Sequence, residues 1–245
     1  MRPLLSYGLN MTNPPNNSDR SEMRRTLGWH EERTLVLEAA QAMYQHGLVV
    51  ASSGNVSMRV SDDGRDDMLA ITAAGKDYEK LSLEQVVVVD FEGEPLVGDA
   101  LPSTEMLLHS SIYQARPDVG AVMHTHSVYA SALAVAGIAL PPIIDEMVVL
   151  LGDSVQVSEY TFPGTEDLGA AVVQALGERN AALIRNHGMV GVGKTPADAL
   201  KACQLTERLA HIYTAAAALG GAHPLPEEAV RTELEIFRMQ RQTPK

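Results

Sequence analysis

The chain has 245 residues, with Lys and Arg numbering 19 against 31 Asp and Glu, a formal net charge of −12 with neutral histidines. That balance, with no basic run, argues against a nucleic-acid partner, which requires Lys and Arg to neutralise phosphates. Apolar residues at 45% suit a buried core, the single cysteine Cys203 excludes an internal disulfide, and the absence of a long apolar run or secretory signal predicts a cytoplasmic protein without a membrane partner.

In chain order, residues 1–21 include an Asn/Pro/Ser-rich stretch whose burial cannot offset its ordering entropy, which predicts a flexible leader. One domain is expected over 22–245. Leu35, Ala39 and Met43 recur at helical spacing, with Ser21 as a cap and Gly47 suited to the residue after the helix, predicting an amphipathic helix over 22–47. Three strands are expected in SSGNVSMRV, DMLAITAAG and VVVVDFEGE, where β-branched residues are punctuated by turn residues. A helix over 103–114 follows Pro102, and a strand in VGAVMHTHS comes next. The remaining pattern predicts a short helix over 129–136, a strand in SVQVSEY, a helix over 165–176 capped by Thr165, a strand in AALIRN and a long Ala-rich helix over 196–219. Strands and helices interleave without strict βαβ alternation, so the pattern implies mixed α/β.

Histidine carries the chemical information. His124 and His126, in MHTHS, form a His-x-His pair on an expected strand, where alternation points both imidazoles to one face. Two such rings are half of a metal site, and zinc takes three or four N, O or S ligands. His187 in RNHGM and Glu105 near the start of the 103–114 helix are candidates for the remaining ligands. An exposed or hydrogen-bonded pair is the commoner fate of His-x-His, so spacing alone leaves both readings open. A second set of loops, SSGN, AAGK and PSTE, offers hydroxyls and backbone N–H groups for an anion, with Ser103 and Thr104 near a helix N-terminus and Lys76 adding charge. Ordinary turns and caps are the alternative for each loop alone.

Taken together and in order, SSGNVSMR, ITAAGKDYEKL, LPSTEMLLHSSIYQARPDVGAVMHTHSVYASALAV and LIRNHGMVGVGKTPADALKAC resemble the class II aldolase/adducin family, in its fuculose-phosphate aldolase branch, over residues 31–214. The resemblance implies a three-layered α/β/α domain around a largely antiparallel sheet, assembled as a homotetramer with active sites between subunits. It implies a divalent ion, usually Zn2+ with Mn2+ or another divalent metal as alternatives, held by Glu105, His124, His126 and His187. It implies a phosphate pocket on Asn55, Gly75, Ser103 and Thr104, supplemented by Lys76, while His109 is expected to support the site or the structure around it. The implied activity is cleavage of a ketose 1-phosphate, of the L-fuculose 1-phosphate kind, to dihydroxyacetone phosphate and an aldehyde through a metal-stabilised enediolate. A 4-epimerase, decarboxylase or dehydratase on a related sugar phosphate or keto acid would use the same ligands, and an adducin-like binding module would be non-catalytic. The chain departs from the aldolase pattern at three places. Ala74 stands where a threonine is expected, Glu146 beside Asp145 stands where a tyrosine is expected, and EIFRMQRQTPK lacks the C-terminal tyrosine. Glu105 and Glu146 are therefore the expected acid/base residues, with Asp145 the neighbour that could take the second role.

Overall fold

The computed structural model describes residues 28–62 and 65–242; the expected leader, its Ser21 cap and the first residues of the expected 22–47 helix lie outside the described residues. The first described helix, α1 (His30–Gln45), ends as anticipated: Gly47 has φ +68, and the N–H groups of Gly47 and Leu48 return to the carbonyls of Tyr44 and Met43 at 2.9 and 3.2 Å.

Among the described residues, seven strands form one sheet: β1 (Asn55–Asp62), β2 (Arg65–Thr72), β3 (Val86–Asp90), β4 (Pro95–Val97), β5 (Ala121–Thr125), β6 (Ala181–Ile184) and β7 (Gly188–Gly193). Their order is β4-β3-β2-β1-β5-β7-β6, and every neighbouring pair is antiparallel. The helices after α1 are α2 (Met106–Ala115), α3 (Val128–Ala136), α4 (Asp145–Leu151), α5 (Glu166–Leu176), α6 (Pro196–Ala218) and α7 (Glu227–Gln242).

Alternation along the strands feeds two separate cores. Met68, Ala70, Val86, Val88, Ala121 and Met123 point into a cluster with α1, α3 and α6, while Leu69, Ile71, Val87, Val89 and Val122 point into one with α2 and α5. A sheet buried on both faces reads as near-continuous apolar runs, which is why VVVV belongs in β3. The result is a three-layered α/β/α arrangement.

The structure corrects one expectation and adds elements the pattern left unassigned. SVQVSEY is not a strand: Val155 makes a single bridge to Leu140 and Val157 a single parallel bridge to Leu183, so its alternating valines serve two partners and no ladder forms. The segment MVGVG is a full strand, β7, because its place between β5 and β6 supplies hydrogen bonds on both sides that its glycine-diluted pattern does not announce. The helices α4 and α7 were not anticipated. α4 has seven residues, too few to show a period, and α7 is anchored by buried Phe237 and by Arg241, which pairs with Asp118 at 2.7 Å.

Two glycines let the strands close around the site. Gly54, at φ +78, precedes β1 where an added Cβ would lie 2.6 Å from the His124 carbonyl oxygen, and at Gly188 it would lie 2.3 Å from the Thr125 carbonyl oxygen. Gly54→Ala combines a left-handed backbone with a backbone collision, so it is expected to cost about 2 kcal/mol or more. Thermal unfolding of that variant should show a midpoint several degrees below the parent, and an unchanged midpoint would contradict this geometry.

Candidate metal centre

The site stands where three central strands end side by side. Asn55 is paired directly across from His124 in the β1–β5 ladder, and Thr125 is paired with Met189 in the β5–β7 ladder. His124 lies on the same face as Val122, the face covered by α2, and α2 begins immediately after Glu105. His126, one residue beyond β5, retains its two-residue offset from His124, and His187 sits in the tight turn between β6 and β7. The turn brings its ring over the ends of those strands, as the RNHGM pattern suggested.

The three imidazoles meet edge to face, with ring centroids 4.8, 4.8 and 4.9 Å apart, and one ligand nitrogen from each falls within a 4.8 Å span. The Glu105 carboxylate reaches two of them: Oε2 is 3.2 Å from His124 Nε2, and Oε1 is 3.3 Å from His187 Nε2. Protonation follows from the partners. His124 Nδ1 lies 2.9 Å from the Met189 carbonyl, which can only accept, so Nδ1 carries a hydrogen and Nε2 points into the cluster. There Nε2 faces His126 Nε2 at 2.9 Å as well as the carboxylate. Burial, then the neighbouring rings His124 and His187, push the His126 imidazole down to about 4, and burial followed by His124 lowers His187. Burial pushes the Glu105 carboxyl upward, but His124, His187, the Asn55 amide and His109 together hold it below its ordinary value.

Three imidazole nitrogens and a carboxylate thus converge, and Glu105 Oε1 is buried without a hydrogen-bond partner. The two carboxylate–imidazole separations, 3.2 and 3.3 Å, match the ligand edges of a tetrahedral ion, about 3.3 Å for bonds of ~2.0–2.1 Å. Three imidazoles and one carboxylate are a donor set for a divalent cation such as zinc, and the carbonyl of Met189 orients one ring from behind.

Two of the loops expected to hold an anion are joined beside this centre. Ala73 bridges Pro102, Ala74 N–H donates to the Leu101 carbonyl at 3.0 Å and Ser103 N–H to the Thr72 carbonyl at 3.1 Å, so AAGK and PSTE run antiparallel edge to edge, with Ser103 set against Thr72. Ser103 is buried and Thr104 exposed. Asn55 stands closer in: its Nδ2 donates to Glu105 Oε2 at 2.9 Å. Glu146 is placed apart from them, exposed at the start of α4 and 3.9 Å from Arg208 on α6. Reading single motifs missed the buried partners Ser57 and Tyr113. The spacing of Glu105, His109 and Tyr113, four residues each along α2, against Asn55 and Ser57, two apart on β1, was the available signal.

About one divalent ion per chain is expected in metal analysis of the purified protein. His126→Ala and His187→Ala should lose that ion, and chelation should lower the unfolding temperature of the parent until metal is restored. Parent protein that carries no ion and is indifferent to chelator would rule out this centre.

The class II aldolase and adducin N-terminal domain model matches residues 34–214. The 5-deoxy-D-ribulose 1-phosphate aldolase of Bacillus thuringiensis serovar kurstaki is 30% identical over 207 residues, 84% of this chain and 95% of that protein. The L-fuculose phosphate aldolase of Escherichia coli is 32% identical over 204 residues, 83% and 92% of the two chains. The methylthioribulose-1-phosphate dehydratase of Marinobacter nauticus is 36% identical over 188 residues, 71% and 88%. A solved L-fuculose 1-phosphate aldolase superposes with a TM-score of 0.79 at 29% identity, over 85% of this chain and 96% of that one. An enzyme of the class II aldolase type, the chain belongs to the class II aldolase and adducin N-terminal domain family.

Proposed function

We propose that this enzyme cleaves a ketose 1-phosphate to dihydroxyacetone phosphate and an aldehyde, using a divalent ion, zinc foremost, held by Glu105, His124, His126 and His187. The observation that carries the reading is the convergence of three imidazoles and the Glu105 carboxylate beside a hydroxyl-bearing loop pair. When bound, the ion supplies Lewis-acid stabilisation for the negative charge that develops on an enediolate. Cleavage breaks the C3–C4 bond, removes the proton of the C4 hydroxyl and returns a proton to C3. Glu105, at the centre, delivers the proton to C3. Glu146 takes the hydroxyl proton, with Asp145 beside it as the alternative base.

The phosphate is bound by Gly75, Ser103 and Thr104, with Lys76 as a nearby charge and the second amide hydrogen of Asn55 at the inner end. Exposed apolar side chains support a neighbouring subunit at the mouth: Val50 is 78% and Leu101 79% exposed, and both stand on the loops that carry these groups. The assembly in this reading is a homotetramer whose active sites lie between subunits, which would give Glu146 access to a centre in an adjacent chain. Among the described residues no helix is long and apolar enough to cross a membrane, and the proposed site is cytoplasmic.

A second reading rests on Glu146. Loss of water from the same ketose takes a proton from C3 and expels the C4 hydroxyl, a task suited to a carboxylate where the aldolase pattern has a phenol, and the dehydratase of Marinobacter nauticus is among the relatives.

A panel of ketose 1-phosphates and their unphosphorylated sugars, assayed on metal-loaded protein, separates the two. Release of dihydroxyacetone phosphate marks cleavage; a dicarbonyl product with no aldehyde marks dehydration; turnover of neither class would refute both. Thr104→Val should raise KM for the phosphorylated substrate about tenfold while leaving kcat within about threefold, because it removes binding common to ground and transition states. Equal activity on phosphorylated and unphosphorylated sugars would contradict the anion pocket. Glu146→Gln should keep the metal and a solution mass near four chains yet lower kcat about 10²-fold. If it stays within about threefold of the parent while Asp145→Asn is inactive, the base is Asp145, and if both stay active the proton path does not run through α4.

A further inference from the structure

Behind the centre lies a buried chain of hydrogen bonds that the reaction as described leaves unused. Asn55 Nδ2 donates to Glu105 Oε2 at 2.9 Å, while Asn55 Oδ1 contacts His109 Nε2. His109 Nδ1 lies 2.6 Å from Ser57 Oγ, which lies 2.8 Å from the Tyr113 hydroxyl. His109 and Ser57 are fully buried, and Asn55 and Tyr113 nearly so.

Each link has one allowed direction. The carboxylate can only accept, so the amide nitrogen of Asn55 faces Glu105 and its oxygen faces His109. That oxygen can only accept, so His109 carries its hydrogen on Nε2. A doubly protonated ring would be an unpaired charge in a site without solvent, so Nδ1 is bare and accepts from Ser57, whose oxygen then accepts from Tyr113. The far end is clamped: the Tyr113 ring stacks on Phe91 at 5.9 Å, with the Arg59 guanidinium 4.9 Å from the Tyr113 centroid. The geometry also has a simple origin. Glu105, His109 and Tyr113 form one stripe along α2, and Asn55 and Ser57 are the same-face residues of β1 beneath it.

We infer that Asn55 and His109 are positioning residues: the Tyr113–Ser57–His109 chain locks the Asn55 amide in one orientation, and the amide fixes where the Glu105 carboxylate sits relative to the three histidines. This deepens the proposed function and rests on Glu105 serving both as ligand and as proton carrier. It gives Asn55 a task at the carboxylate in addition to any contact with phosphate.

The test uses Co2+ as the ion, because its visible absorption reports the ligand arrangement without substrate. His109→Leu removes the hydrogen offered to Asn55 Oδ1, whereas His109→Gln places an amide N–H near the position of Nε2. In His109→Leu the Co2+ spectrum should shift in the same direction as in Glu105→Gln, and kcat should fall about tenfold or more with KM within about threefold. His109→Gln should restore the parental spectrum and kcat to within about threefold. A His109→Leu protein with parental spectrum and kcat overturns the inference, as does a Gln variant as impaired as Leu. Should His109→Leu fail to fold, Ser57→Ala decides: it removes only the hydroxyl that donates to Nδ1, and the same spectral shift at smaller amplitude is expected, while a parental spectrum overturns the inference. If no ketose 1-phosphate is turned over, the proposed reaction fails but the spectra still decide the positioning role. If the parent binds no Co2+, the metal reading fails and this inference with it.

Discussion

The antiparallel register between β1 and β5 sets Asn55 opposite His124, and the chemical groups of the molecule are arranged around that pair. From it, β7 on the other side brings the Met189 carbonyl to the back of the His124 ring, and the β6–β7 turn carries His187 over the front. On the covering layer, α2 begins just past Glu105 and drops that carboxylate between the two. A slip of one residue in β1 would exchange the faces of Asn55 and Ser57 with those of Val56 and Met58, removing the polar groups from beneath α2 and burying apolar ones in their place. The two separate hydrophobic cores guard against such a slip, because every strand residue moved to the wrong face would lose its own cluster.

Polar groups in the middle of a packed sheet are costly unless each has a partner, and the site meets that cost unevenly. Asn55, Ser57, His109 and Tyr113 are mutually satisfied, so they form a stiff polar seam between β1 and α2. At the histidines the accounting is incomplete: Glu105 Oε1 is buried without a hydrogen-bond partner beside three converging imidazoles. The contrast separates a region whose polar groups are complete within the polypeptide from one whose donor set suits a divalent cation. Burial pushes the Glu105 carboxyl up, and its contacts with His124 and His187, joined by Asn55 and His109, more than offset that push.

Much of this was legible in the chain. Period-two alternation in MHTHS, the glycine after His187 and the ordered small-residue loops point to the same end of the sheet that the structure builds. The expectation of a largely antiparallel α/β/α domain agrees with the seven-stranded sheet. What escaped the sequence was whatever depends on tertiary partners. Valines in SVQVSEY look like a strand because β-branching is local, but pairing is not, and no single neighbour runs alongside them. Glycines in β7 hide a strand for the converse reason. The carbonyl of Met189 has no sequence signature at all, since any residue supplies one. His109 was visible as a helical neighbour of Glu105, yet its function as the hydrogen donor to Asn55 required the register of β1 beneath it.

The division between a stiff centre and exposed surroundings also bears on which reaction this family member carries out. Cleavage and dehydration both develop negative charge beside the ketone, so the histidine–carboxylate centre serves either. They part at C4, where one removes the hydroxyl proton and the other expels the hydroxyl. In the proposed reading that difference falls to Glu146, which is not anchored as Glu105 is. It stands 44% exposed on a seven-residue helix, and its contact with Arg208 at 3.9 Å is a solvent-screened pair of the kind that contributes about 0–1 kcal/mol. So weak a tether lets the side chain exchange Arg208 for groups on a neighbouring subunit at small cost. On the proposed reading, placing Glu146 at C4 falls to the proposed assembly, so the choice of reaction would turn on surface residues while the buried seam behind Glu105 stays as it is.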